Sequence, residues 1–428
     1  MGVRNGMLYH ILGLLSVLAF VYMSFGGLRF RFEEGSEVAF VQRNGTQFVV
    51  DGKAFYVNGW NSYWLMFQSV DVDSRHRVRE MLKTGAKMGL TVCRTWGFND
   101  GGYHALQTSP GRFDEQAFKQ ALDYVIAEAG QQGIRLLLSL VNNLEGLGGK
   151  PQYVKWAWQD GVGLSSSDDS FFFDPSIRSY FKNYIKTILT RKNTITGIEY
   201  RNDPTVFGWE LINEPRCMSD PSGDTLQEWI EEMSAFVKLI DKNHLVTVGL
   251  EGFYGPHDPK SSTVNPGYWA SQVGSDFIRN SKISNIDFTS VHIYGDQWSY
   301  KQEFEDQLKF VSKWMLSHIE DGDEVLHKPV LFSEYGLSQR IQNFSASDRE
   351  KIHKTILDII YKSAKRNKSG AGTLIWQFLV DGINEFSDEY GIVPGGNSST
   401  YSLLVEQSCR LAKVKGWPQQ DVKFKQVC

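Results

Sequence analysis

Val206-Phe207-Gly208-Trp209-Glu210-Leu211-Ile212-Asn213-Glu214-Pro215 is an almost unbroken apolar run that stops on an asparagine, a glutamate and a proline. Apolar residues that follow one another, instead of alternating with polar ones, predict a strand over 206–211 covered on both faces, as in a parallel sheet. The pattern recurs at 55–58, 90–96, 134–140, 245–249, 288–293, 330–333 and 372–376. Between these runs lie helical patterns at 74–88, 115–132, from Pro175 onward, 225–240, 302–318 and 348–366. Eight strand-and-helix units predict an α/β chain folded as a (β/α)8 TIM barrel, with a doubly wound open sheet as the alternative. A bare barrel takes about 250 residues. The surplus of this 428-residue chain falls at 142–170, 251–287 and 381–401, each after a strand, and so extends the βα loops of one face.

Composition agrees with one large domain. With 41% hydrophobic and 22% charged residues, the chain can bury an ample core without disulfides or metals. A net charge of -4 and no Lys/Arg cluster exclude a nucleic-acid partner. The 12 Trp include several in polar segments such as Trp96-Gly97-Phe98-Asn99-Asp100, where an indole suits the apolar face of a sugar ring as well as plain core packing.

Arg4 precedes a run at 7–25 without a charged residue. A positive flank before an apolar stretch predicts a secretory signal, and a run nearly long enough to cross a bilayer makes an uncleaved signal anchor the alternative. The expected organisation is a signal peptide or anchor at 1–27, a main domain at 28–411 and a C-terminal tail at 412–428. The triplets at Asn44, Asn343, Asn367 and Asn397 fit the glycosylation rule and agree with export to the cell exterior or wall. Four cysteines (Cys93, Cys217, Cys409, Cys428) allow up to two bridges of undetermined connectivity, and Cys93, inside a strand, reads as a buried hydrophobe.

In a barrel, the C-terminal ends of the strands converge on one mouth. Those ends carry Arg94 after the second strand, Asn142 and Asn143 after the third, and Asn213 and Glu214 after the fourth. His292 and Tyr294 close the sixth, Glu334 the seventh, within Leu331-Phe332-Ser333-Glu334-Tyr335-Gly336, and Trp376 the eighth. Taken singly, Arg94 also fits a structural ion pair and His292 a satisfied core histidine. Two carboxylates at the ends of apolar strands are costly to bury unless paired or put to use, and paired carboxylates facing one site are what glycoside hydrolysis requires.

The chain here resembles the retaining hydrolases of glycoside hydrolase family 5, with Asn213-Glu214-Pro215 after the fourth strand and Glu334 after the seventh. More narrowly, Leu140-Val141-Asn142-Asn143, Gly149-Lys150-Pro151-Gln152-Tyr153-Val154-Lys155-Trp156, Trp209 through Cys217 and Gly249-Leu250-Glu251-Gly252-Phe253-Tyr254-Gly255 are similar to the plant-type endo-β-1,4-mannanases. The likeness spans roughly residues 40–411 and leaves the apolar N-terminus and the tail outside. It implies Glu214 as acid/base, Glu334 as nucleophile, and mannans, galactomannans and glucomannans as substrates.

Several supporting roles follow as expectations. Arg94 would hold Glu334 ionised by its charge, and Tyr294 would donate to the same carboxylate. Asn213 would bind the sugar 2-hydroxyl, His292 would orient Tyr294 or Glu214, Trp376 would form the platform under the sugar, and Trp96 would line a neighbouring subsite. A β-1,4-glucanase of the same fold, a mannan transglycosylase and an inactive carbohydrate-binding barrel are the alternatives. Metal-dependent hydrolysis through His292, Asp296 and His257 is a further one, against which stands the lack of an HxH or HExxH pair. The expected partner is β-mannan polysaccharide, with no cofactor, no metal and no nucleic acid, and a membrane only where the N-terminal run stays uncleaved. Nothing in the sequence sets the oligomeric state.

Overall fold

Every residue of eight strands is buried: β1 (Val57–Asn61), β2 (Val92–Trp96), β3 (Arg135–Ser139), β4 (Val206–Glu210), β5 (Leu245–Thr247), β6 (Thr289–Ile293), β7 (Val330–Tyr335) and β8 (Gly370–Ile375). This is why their sequences lack alternation: helices cover one face and the barrel interior the other. The structure is a computed structural model that describes residues 39–298, 303–340, 345–395, 398–414 and 427–428. The apolar run at 7–25 and the acceptor sites at Asn343 and Asn397 lie outside these residues.

The strands form one parallel sheet in the order β5-β4-β3-β2-β1-β8-β7-β6. Side chains help to join its two ends. The Asp287 amide donates to the Val246 carbonyl at 2.8 Å while the Asp287 carboxylate accepts from the Val246 amide at 2.8 Å. Thr247 Oγ1 donates to the Phe288 carbonyl at 2.8 Å, and Ser290 Oγ accepts from the amides of Gly249 and Leu250 at 3.0 and 2.7 Å. The predicted (β/α)8 barrel is therefore the observed fold, closed at β5 and β6 partly by short hydroxyl and carboxylate side chains.

The main covering helices are α1 (Arg75–Lys87), α2 (Leu122–Gln132), α3 (Pro175–Thr190), α4 (Asp224–Ile240), α5 (Phe277–Lys282), α6 (Phe304–Asp321), α7 (Ala346–Lys365) and α8 (Ser399–Val414). Pro175 opens α3 behind Asp174, whose carboxylate accepts from the amides of Ser176 and Ile177. The single helix expected over 115–132 is instead two, Glu115–Gln120 and α2, broken at Ala121.

One expected strand is displaced. The apolar run at 55–58 straddles two elements, because Lys53–Phe55 belongs to a three-stranded antiparallel sheet with Gln42–Asn44 and Gln47–Val50, and β1 starts at Val57. Phe48 of this small sheet packs edge-on against Phe207 and Phe288, each 5.2 Å away between ring centroids, and clusters with Val57, Val92, Leu137 and Leu331. It stoppers the N-terminal end of the barrel and leaves the other end to the polar residues.

Cys409 on α8 is disulfide-bonded to Cys428, and Cys93 and Cys217 are buried free thiols. Asn44 and Asn367 are exposed. Among the described residues no helix is long and apolar enough to cross a membrane. Truncating the stopper tests its weight: Phe48→Ala is expected to destabilise the fold by about 3 kcal/mol, read from the midpoint of chemical denaturation at constant slope.

Candidate active site

Arg94, at the third position of β2, is wholly buried and sits among four acceptors. Its Nε and Nη2 fork onto the two oxygens of Glu210 at 2.9 and 2.7 Å. Nη1 donates to Glu334 Oε1 at 2.6 Å and to Asn61 Oδ1 at 3.0 Å, while Nη2 also reaches Asn213 Oδ1 at 2.6 Å. One guanidinium thus ties the ends of β1, β2, β4 and β7 to each other through charge-assisted bonds.

Glu334 receives a second donor, the Tyr294 hydroxyl, at 2.6 Å from Oε2. Glu214 faces it from the far side of His292, whose Nδ1 lies 2.7 Å from Glu214 Oε1 and 3.6 Å from Glu334 Oε2. Nδ1 of His292 and one oxygen of each glutamate all lie within 4.8 Å of one another. Glu214 owes its aim to the backbone. It adopts φ +50°, left-handed for a residue with a side chain and unusual before a proline. Its amide donates to the Gly249 carbonyl at 2.9 Å, and the preceding Asn213 amide to the Val141 carbonyl at 2.9 Å, which hold the turn in place. Gly249 has to be glycine: at φ +101° a Cβ would lie 2.0 Å from the Ile212 carbonyl oxygen.

Burial raises both glutamates above the ordinary carboxylate value. On Glu214 the charges of Arg216 and Arg94 oppose it, and on Glu334 a protonated His292, the charge of Arg94 and the Tyr294 hydroxyl do. The charge of Arg94 acts on Glu334 in the expected direction, toward the ionised form, yet the carboxyl still lies above its ordinary value. The Arg94 charge is shared with Glu210, and burial of the Glu334 carboxyl outweighs what remains. Burial is the leading cause of the rise on Glu214, and the charge of Glu210 adds to it. Burial lowers His292, so the imidazole is neutral near pH 7.

Trp376 follows β8 and is half-buried, with its indole N–H donating to Asp388 at 2.7 Å. Its ring stacks on Tyr63, with centroids 5.9 Å apart and planes at 6°. Trp96 is only 5% exposed and packs against Trp376, Tyr63 and Phe98, with the Arg94 guanidinium 4.9 Å from its ring centroid. It packs behind Trp376 and presents little ring surface to a ligand, where a subsite role was expected of it. Asn213 Nδ2 donates to Asn142 Oδ1 at 3.1 Å, which fixes the amide orientation and leaves one N–H of that group uncommitted by this bond.

His257 is exposed, and the Asp296 carboxylate is taken up by the Ser338 amide at 3.0 Å and the Tyr390 hydroxyl at 2.8 Å. Neither joins His292. Among the described residues the one gathering of potential metal-ligand atoms is Glu214, His292 and Glu334, and the cation already bonded there is Arg94.

Sequence reasoning missed Glu210, Asn61, Arg216, Glu251 and Tyr63. Glu210 carried an available signal, a carboxylate inside an apolar strand. Asn61 was hidden because its strand was expected to end before it. Arg216 forks onto Glu251 at 2.8 and 2.6 Å, and burial together with the nearby Glu214 charge pushes Glu251 up to about 7.

Residues 38–389 match the glycoside hydrolase family 5 β-mannosidase-like family. The chain is 66% identical over 424 residues to mannan endo-1,4-beta-mannosidase 2 of Arabidopsis thaliana, covering 99% of this chain and 98% of that one. It is 54% identical over 431 residues to mannan endo-1,4-beta-mannosidase 2 of Oryza sativa subsp. japonica, covering 97% of each. The crystal structure of the endo-1,4-beta-mannanase from Rhizomucor miehei superposes with a TM-score of 0.72 at 30% identity, over 88% of this chain and 100% of that one.

Two substitutions probe the charge cluster. Arg94→Met strands the Glu210 carboxylate in the interior and is expected to cost about 3 to 5 kcal/mol in chemical denaturation. Tyr294→Phe removes a donor that favours ionised Glu334. The carboxyl then titrates higher, so the acid limb of the kcat/KM profile moves to higher pH, with turnover down roughly 100-fold.

Proposed function

The chain belongs to glycoside hydrolase family 5, and from that membership we propose that it hydrolyses internal β-1,4-mannosidic linkages of mannans, galactomannans and glucomannans with retention of configuration. The observation that carries the mechanism is the gap between the carboxyls, whose oxygens approach within 4.8 Å. A retaining pair stands about 5 to 5.5 Å apart, whereas an inverting pair needs roughly 6.5 to 9.5 Å to admit a water between carboxylate and sugar.

Glu334 is the nucleophile. Arg94 and Tyr294 each donate to one of its oxygens, so the ionised form is the one they favour and its attacking orientation is fixed. Its carboxylate attacks the anomeric carbon as the bond to the leaving oxygen breaks, and Glu214 delivers its proton to that oxygen. The glycosyl ester on Glu334 is then cleaved by water, which gives a proton to Glu214 and its oxygen to the anomeric carbon, releasing Glu334 as carboxylate.

Glu214 needs the opposite environment, and it has no guanidinium bonded to it. Its partner is the neutral His292. Nδ1 can accept from protonated Glu214 or, in the other tautomer, donate to its carboxylate, so the contact serves both halves of the cycle. Loss of the negative charge on Glu334 in the ester lowers the affinity of Glu214 for its proton and suits it to act as base. Trp376 supplies the floor for the sugar, and the Asn213 amide, held by Arg94 and Asn142, is offered to the 2-hydroxyl.

Export of the enzyme to the cell wall, where such polymers would meet it, completes the proposal. It is supported by the uncharged run at 7–25 and by acceptor sites at the exposed Asn44 and Asn367.

Incubation of the chain from residue 33 onward with β-1,4-mannan and with β-1,4-glucan tests the activity. Short manno-oligosaccharides and little glucan product are expected, unaffected by a chelator, with Glu334→Gln lowering the rate by about 10⁴-fold or more. Efficient glucan cleavage would transfer the enzyme to the cellulase class, and polymer binding without any product would sink the catalytic proposal.

A further inference from the structure

A helix in the loop after β3, Gly149–Gln159, carries two tryptophans with opposite fates: Trp156 is buried, whereas Trp158 is 55% exposed. The Trp158 indole is nonetheless fixed. Its N–H donates to the Ser165 carbonyl at 2.9 Å, and Gly163 packs against it so closely that a Cβ there would meet Trp158 Cδ1 at 3.3 Å. The edge of the five-membered ring is thus held by its own loop. The indole borders an open surface cavity of about 450 Å³ shared with Pro151, Val154, Lys155, Ser166 and Asp168. The side chains of Lys155, Ser166 and Asp168 are exposed and make no hydrogen bond to protein among the described residues.

We propose that this cavity is a second sugar-binding site, which takes pyranose units of the β-1,4-mannan chain outside the catalytic cleft. The chemistry selects the ligand. A rigid indole stacks on the C–H face of a pyranose at little entropic cost, and hydroxyl, ammonium and carboxylate groups around it match a ring of sugar hydroxyls. One cation and one anion cancel, so nothing favours a charged ligand, and the mixed lining does not suit a purely apolar one.

The position ties the site to the reaction. At the foot of the helix the Lys150 amide donates to the Asn142 carbonyl at 2.7 Å, and Lys150 Nζ donates to the Arg216 carbonyl at 3.2 Å, two residues beyond Glu214. Trp158 lies eight residues further along, about 12 Å at the α-helical rise. A polymer held there is kept near the cleft, whereas a short oligosaccharide that fills the cleft gains nothing. The proposal rests on mannan being the substrate.

The test uses Glu334→Gln, which leaves the polymer uncut, in affinity electrophoresis through galactomannan gels. Adding Trp158→Ala is expected to weaken retardation about fivefold, with Trp158→Phe retaining most of it because the ring face survives. Leu239→Ala, an exposed apolar residue on α4, serves as the control that changes nothing. In the active chain, Trp158→Ala should lower kcat/KM on galactomannan relative to mannotetraose by a similar factor. Unchanged retardation, or equal loss on both substrates, would overturn the site. Loss of a dimer in sedimentation with unaltered polysaccharide affinity would assign the face to a second copy and overturn it too. A wild-type chain inert on every mannan would instead sink the proposed activity, and retardation alone would then decide the site.

Discussion

Placing a guanidinium at the centre of a barrel is permissible only if its charge is met on all sides, and the Arg94 contacts show what that demands. Glu210 supplies a forked carboxylate, Glu334 a second one, and Asn61 and Asn213 two carbonyl oxygens. Isolated, any of these ions would be expensive to bury. Bound together, they fix the ends of four strands and define where a substrate can approach. The stopper of Phe48, Phe207 and Phe288 at the opposite end keeps the other end of the barrel apolar.

The division of labour proposed for the two glutamates does not come from burial, which pushes both carboxyls the same way. It comes from their partners. Glu334 is bonded to a permanent cation and a phenol, which favour the carboxylate, and Glu214 to a neutral imidazole that tolerates either state. The same logic explains why Trp96 lies beneath Trp376. An indole against the buried guanidinium screens it from water and stiffens the ring above, so the aromatic surface left to the mouth is that of Trp376.

Much of the barrel was legible because its cause is local. Strands covered on both faces must be apolar throughout, and each of β2 to β8 announced itself in that way. Where an apolar run served two elements, as at Phe55 and Val57, the pattern was blind to the break, since both sides are buried. Polar residues at strand ends were legible for the same reason that they are costly, and Arg94, Asn213, Glu214, His292, Tyr294, Glu334 and Trp376 do gather at one mouth. Asn61 escaped because its strand was expected to end before it, and Glu210 because what it bonds to, Arg94, lies on another strand.

Sequence by itself determined the fold class, the mouth, the carboxylate pair and the family likeness, because hydrophobic patterning and short motifs are properties of consecutive residues. Tertiary structure decided what consecutive residues do not encode. It set the gap between the carboxyls, the sharing of one guanidinium among four acceptors, the choice of His292 as the Glu214 partner and the concealment of Trp96. Each of these depends on distances between segments a hundred or more residues apart in places, such as Arg94 and Glu334, separated by 240 positions and joined at 2.6 Å. Coulombic and hydrogen-bond energies change over tenths of an ångström, and only the closed barrel fixes distances on that scale.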